Sequence, residues 1–146
     1  MGKEQFIGSL KLLSSECRTS DGEVIYSMGK EVTGRLMYSP DGYMSVQHMM
    51  AHRKPFASSD WLWGTPAEIK AAFESYRAYY GTWEVDEKKG TVTHHIEAGS
   101  FPNWYGTDFV RFYEITGNRL TFRATPQLLD GKTVTVYLIW EKLNSR

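Results

Sequence analysis

Cysteine is almost absent from this chain, neither sign of charge is in excess, and no long apolar run occurs. Each shortage removes a class of protein. The lone Cys17 excludes an internal disulfide and fits a reducing compartment. Lys plus Arg equal Asp plus Glu at 17 each, scattered along the chain, so the electrostatic footprint of a nucleic-acid or anionic-membrane partner is missing. No segment reaches membrane-spanning length, and Met1 to Leu13 lacks the apolar core of a signal peptide. A cytoplasmic protein with neither nucleic acid nor membrane as partner is expected. Motifs of covalent hydrolysis are also missing, since there is no Gly-x-Ser-x-Gly and no paired Ser/Lys arrangement. The glycines between Gly99 and Gly106 flank Pro102 and bulky aromatics and precede a strand, whereas a phosphate loop opens a helix. His94 and His95 are strand neighbours that point apart, and His48 and His52 share a face only on a helix. No metal and no cofactor is expected.

What the chain does have is turn chemistry at short intervals. Its 146 residues suit one domain, 1–146, able to bury roughly two thirds of its unfolded surface without staples. Strand-like runs cover Gly8 to Cys17, Val24 to Ser27, Gly34 to Ser39, Tyr43 to Met49, Gly81 to Val85, Thr91 to Ala98, Asp108 to Ile115, Arg119 to Ala124 and Lys132 to Leu143. Asp21-Gly22, Pro40-Asp41-Gly42, Asp86 to Gly90, Thr116-Gly117-Asn118 and Asp130-Gly131 separate several of them. Short strands joined by tight turns predict a closed, mainly antiparallel barrel of eight to ten strands, a closure that also removes exposed edges. One helix interrupts them. Thr65-Pro66-Ala67-Glu68 supplies a cap, a proline at the first helical position and a reciprocal Glu, and Ile69, Ala72, Phe73, Tyr76 and Tyr80 recur at helical spacing. The expectation is an amphipathic helix from Thr65 to about Tyr80, its stripe packed on the barrel or plugging one mouth.

The candidate site lies on the two runs flanking Gly99 to Thr107. Strand alternation puts Val92, His94 and Ile96 on one face and Thr93, His95 and Glu97 on the other, so His94 reads as core-facing and His95 as outward. By the same parity Phe109, Arg111 and Tyr113 go together, and a guanidinium between two aromatic rings needs an acceptor or a ligand anion. Tyr38, Gln47, Asn103 and Trp104 complete the candidate set, Trp104 as a cap over the mouth or a seal of the core. The connection Ala51 to Gly64, with Trp61 and Trp63, is a candidate lid.

Read together, these residues resemble the lipocalin-like domain family, small stand-alone barrels of bacteria and fungi. The resemblance is carried by Gly34-Arg35-Leu36-Met37-Tyr38-Ser39-Pro40-Asp41-Gly42-Tyr43-Met44-Ser45-Val46-Gln47, by Ala57 with Gly64-Thr65-Pro66-Ala67-Glu68, and by Tyr79-Tyr80-Gly81-Thr82-Trp83-Glu84-Val85. It continues through Val92 to Glu97, Pro102 to Thr107, Arg111 and Leu138-Ile139-Trp140-Glu141. It implies a calycin-type barrel with an interior cavity. Proteins of this type often begin Gly-x-Trp and end Trp-Glu-Arg, where the Arg can stack on that Trp across the closed barrel end. Leu10 and Lys142 stand at those positions here, which leaves apolar packing to hold the end. Phe109 replaces a common polar residue and makes the pocket greasier.

The function expected is binding of a small hydrophobic carbonyl or carboxylate compound inside the barrel by His94, Arg111, Tyr113, Asn103, Trp104, Phe109, Gln47 and Tyr38. The alternative is a cofactor-free isomerase, cyclase or hydratase in which His94 moves a proton, Arg111 holds an oxyanion and Tyr113 or Tyr38 donates to a carbonyl. A purely structural His-Arg pair and a protein-interaction module also remain open.

Overall fold

The computed structural model describes residues 2–145. Those residues form ten strands, one α-helix and two short 3-10 turns. The strands are β1 (Gly8–Thr19), β2 (Val24–Ile25), β3 (Val32–Tyr38), β4 (Tyr43–Met50), β5 (Tyr76–Asp86), β6 (Thr91–Gly99), β7 (Asp108–Thr116), β8 (Arg119–Ala124), β9 (Gln127–Leu129) and β10 (Lys132–Lys142), and the helix is α1 (Pro66–Glu74). The strands pair antiparallel in the order β2-β1-β3-β4-β5-β6-β7-β8-β10-β9, and β1 also pairs with β10 from Leu10↔Lys142 to Thr19↔Val134, which closes an eight-strand barrel with β2 and β9 as additions. Closure satisfies the ladder groups an open sheet would leave at its rims. β9 escapes the sequence reading because it is only three residues long, although its partner hairpin was signalled. Asp130 and Gly131 both adopt positive φ, the two-residue turn that matches strand twist, and Leu129 pairs with Lys132.

The helix is shorter and less buried than its sequence stripe predicts. Its start is as expected: Thr65 Oγ1 accepts from the Glu68 amide at 3.2 Å, and Glu68 Oε1 accepts from the Thr65 amide at 2.9 Å. It stops at Glu74, however, and not near Tyr80. Arg53 donates to the Ala72 carbonyl and to Ser75 Oγ, each at 3.0 Å, and so satisfies the helix end. The following aromatic run gains more from the sheet, where Tyr76 to Thr82 pair with Met49 to Tyr43. Tyr76 and Tyr80 are therefore strand residues. Ile69 and Phe73 remain 53% and 50% exposed, so the stripe neither forms core nor plugs a mouth.

One irregularity fixes the face of every residue near the site. Tyr80 pairs with Ala98 but Gly81 pairs with Ile96, which leaves Glu97 as the extra residue of a bulge. A Cβ on Gly81 would lie 1.9 Å from the His95 carbonyl oxygen, so only glycine fits this approach. Because the bulge falls after His95, the alternation from Val92 to Ile96 is intact. Val92, His94 and Ile96 are buried, and Glu97 is exposed.

The closed end is aromatic. Phe6 is fully buried, with its ring edge-on to Tyr38 at 5.8 Å and Tyr113 at 4.9 Å and tilted against Trp83 at 6.0 Å. Leu10 is buried beside it, and Lys142 donates to the Ile7 carbonyl at 2.7 Å. Aromatic packing and the Lys142 hydrogen bond together hold this end.

Candidate functional site

The inward faces of the strands line a cavity with about 40 Å³ of space for the centre of a water molecule. Half of the lining residues are apolar: Leu36, Val46, Trp104, Phe109, Phe122, Val136 and Leu138. The polar wall comes from His48 on β4, Arg77 and Tyr79 on β5, His94 on β6, Arg111 on β7, Gln127 on β9 and Trp140 on β10. His48, Arg77, Trp104, Phe109 and Gln127 are only partly buried and mark the open end.

His94 sits at the centre, 2% exposed. Its Nε2 hydrogen-bonds the Tyr38 hydroxyl at 2.5 Å and its Nδ1 the Tyr79 hydroxyl at 2.6 Å. Burial, then the Arg111 guanidinium, then His95 push its pKa well below the ordinary histidine value. The ring is therefore neutral, with one nitrogen donating and the other accepting. In the Nδ1–H tautomer Tyr79 accepts and keeps its own O–H for a ligand. In the other, Tyr79 donates to the ring and its oxygen stays an acceptor beside Arg111. Burial also raises the pKa of both phenols, Tyr38 well above its ordinary value, so both are protonated at neutral pH.

Arg111 is 6% exposed and stacks over the Phe109 ring at 4.7 Å. It pairs across the sheet with Val92 and with Ala124, whose small side chain leaves room for the guanidinium. Among the described residues three buried side-chain atoms have no hydrogen-bond partner: Arg111 Nη1, His48 Nε2 and Trp140 Nε1. All three belong to residues that line this cavity. Buried donors are normally satisfied, so their convergence on one space is a property of the site and not of the fold.

Of the residues expected from sequence, His94, Arg111, Trp104 and Phe109 meet at the cavity. Tyr38 lies behind His94 as its hydrogen-bond partner. Tyr113 has the inward parity of Arg111 but stands at the closed end against Phe6, so it is corrected to a packing residue. Gln47 is exposed because β4 turns Val46 and His48 inward and Gln47 outward. Asn103 is also exposed, since the 3-10 turn Pro102–Trp104 presents only Trp104, edge-on to Tyr79 and Phe109 at 5.9 and 5.6 Å. The connection Ala51 to Gly64 contributes nothing to the cavity lining; its Ala57 amide donates to Glu68 and ties it to the helix. His95 faces outward, bonded to Asp108 at 2.7 Å and Glu84 at 3.0 Å.

Sequence reading missed the polar lining residues His48, Arg77, Tyr79, Gln127 and Trp140. Arg77 and Tyr79 were hidden inside the over-extended helix. Once β5 begins at Tyr76, residues 77, 79, 81, 83 and 85 share the inward face, and Arg77 stands directly opposite His48.

A closed antiparallel barrel with an apolar interior cavity is a lipocalin-type binding fold. The lipocalin-like domain profile matches residues 7–143, and the chain belongs to that family. A 4′-hydroxy-3′-methoxypropiophenone carrier protein of Aspergillus oryzae is 32% identical over 107 residues, which cover 68% of this chain and 96% of that protein. A solved structure of the siderocalin Ex-FABP, 9% identical, aligns with 95% of this chain and 71% of its own at a TM-score of 0.34.

Proposed function

We propose that this protein binds a small hydrophobic compound bearing a carbonyl or carboxylate oxygen and carries it inside the barrel. The observation that supports this reading most directly is the set of unpartnered atoms at Arg111, His48 and Trp140 in a cavity half walled by apolar side chains. Arg111 and Trp140 can only donate, so the group they await is an acceptor. The similarity to a carrier of an aryl ketone, a flat apolar molecule with acceptor oxygens, agrees with that chemistry. Catalysis by the same pocket has less support. Tyr113 is outside the cavity, and both ring nitrogens of His94 are held by phenols that fix it as a neutral spacer. A cytoplasmic location, with the buried Cys17 kept as a free thiol, belongs to the same proposal.

Native mass spectrometry of the purified protein, followed by calorimetric titration with 4′-hydroxy-3′-methoxypropiophenone, tests the reading. Arg111→Met is expected to weaken binding by about 1.5–3 kcal/mol, the worth of a hydrogen bond to a charged donor. The ligand-free variant should melt no lower than wild type, because an unpaired buried guanidinium costs stability. Equal affinity with a large fall in melting temperature would make Arg111 a framework residue. No bound molecule and no heat of binding would remove the carrier reading.

A further inference from the structure

Arg77 and Arg111 give the cavity an electrostatic character that a carrier of neutral ketones does not need. We propose that the cavity takes an aromatic oxyanion, binding a weakly acidic phenol as its phenolate between the guanidinium groups of Arg77 and Arg111. The proposal rests on the binding reading above and narrows it to a ligand class.

Both arginines line the cavity, from β5 and β7, and no aspartate or glutamate does. Neither forms an ion pair among the described residues. Arg77 has one long hydrogen bond, Nη2 to Ser27 Oγ at 3.4 Å, and Arg111 Nη1 has none. Cations withdrawn from water without counter-ions are costly, and folds normally supply a carboxylate beside them. Here the space between them is empty of acids and walled by Trp104, Phe109, Phe122 and Trp140, which suits an aromatic ring.

The other titratable groups facing that space do not supply the missing charge. His48 on β4 is opposite Arg77, and burial first, then Arg77 and Arg111, push its pKa down to about 3. His94 on β6 is neutral for the reasons given, and Tyr79 on β5 keeps its proton. The residues contributed by β3, β8, β9 and β10 do not titrate. At neutral pH the cavity therefore holds two positive charges and no negative one. A ligand whose O–H bond breaks, leaving the electron pair on its oxygen, supplies the counter-charge. The proton passes to bulk solvent, because burial first, then Arg77 and Arg111 for His48 and Arg111 for His94, make the nearby imidazoles poor acceptors.

The test is a spectrophotometric pH titration of 4′-hydroxy-3′-methoxypropiophenone, free and in the presence of excess protein, since a phenolate absorbs at longer wavelength than its phenol. The bound compound is expected to ionise at least one pH unit below the free compound, a tenfold preference for the anion. Its O-methyl ether, 3′,4′-dimethoxypropiophenone, cannot ionise and should bind at least tenfold more weakly above the free midpoint. Arg77→Gln should remove at least half of the midpoint shift and Arg77→Lys should restore most of it. Should Arg77→Gln fail to fold, the wild-type midpoint and the ether comparison still decide. A bound midpoint at or above the free value, with ether and phenol held equally, overturns the proposal and leaves the carrier reading standing. Binding of neither compound removes both.

Discussion

The two ends of the barrel interior are built on opposite rules. At the closed end, Phe6 packs edge to face on Tyr38 and Tyr113 and tilted on Trp83, and two polar groups there are used: Trp83 donates to the Ser39 carbonyl at 3.1 Å and Lys142 to the Ile7 carbonyl. Toward the mouth Arg77 and Arg111 face a cavity without a counter-ion and His48 keeps an unused ring nitrogen, as does Trp140 buried deeper in the same cavity wall. The first arrangement maximises stability. The second sacrifices some of it to leave donors available, which is the signature of a binding surface and not of a core. His94 stands on the boundary, joined to one phenol on each side.

The contrast breaks first at Phe6. Phe6→Ala removes a fully buried ring from the plug and is expected to destabilise the ligand-free protein by about 3–5 kcal/mol in urea unfolding. Affinity for the aryl ketone should be unchanged at a temperature where the variant stays folded. A large loss of affinity with little loss of stability would show that the two ends act as one unit.

Acid is the second lever, and it acts on the open half. His48 and His94 both have folded pKa values below the ordinary 6.5, with burial as the main cause. Above pH 6.5 neither state binds the extra proton, and this contribution to stability is flat. Below it the unfolded chain takes up protons that the folded one refuses. Stability is then lost as pH falls, at up to about 1.4 kcal/mol per pH unit for each histidine, down to about pH 3 for His48. Chemical denaturation at pH 7.5, 6.5, 5.5 and 4.5 measures the slope, and His48→Gln should lower it by roughly half. An unchanged slope in that variant would place the proton uptake elsewhere.

How much of this was legible in the sequence follows from which signals are local. Turn residues and alternation are local, so strand order, the capped helix start and the inward face of His94 and Arg111 could be read directly. Where the helix ends is not local. Tyr76 and Tyr80 continue the helical spacing, and only pairing with β4 and β6 makes Tyr76–Asp86 a strand. That one boundary concealed Arg77 and Tyr79. Depth along the barrel is not local either: parity places Tyr113 on the face of Arg111 but says nothing of its distance from the mouth. Gln47, expected beside the inward His-Arg pair, faces outward because its neighbours Val46 and His48 carry the inward parity.

The smallest expected effect comes from the outer face of the same strand. His95 has a folded pKa raised above the ordinary value, by Asp108 first and by Glu84 as well, the opposite direction from His94 one residue away. A raised pKa stabilises the fold below pH 6.5 and the benefit fades as pH climbs through the folded value, so its slope runs against that of the buried pair. The side chain is 39% exposed, however, and solvent screens both contacts. His95→Gln should therefore cost no more than about 0.5–1 kcal/mol at pH 5.5, approach zero above the folded pKa, shrink further in high salt, and leave ligand affinity untouched. A loss several times larger, or one insensitive to salt, would mean that the outer face of β6 supports the cavity and that inside and outside are not energetically separate.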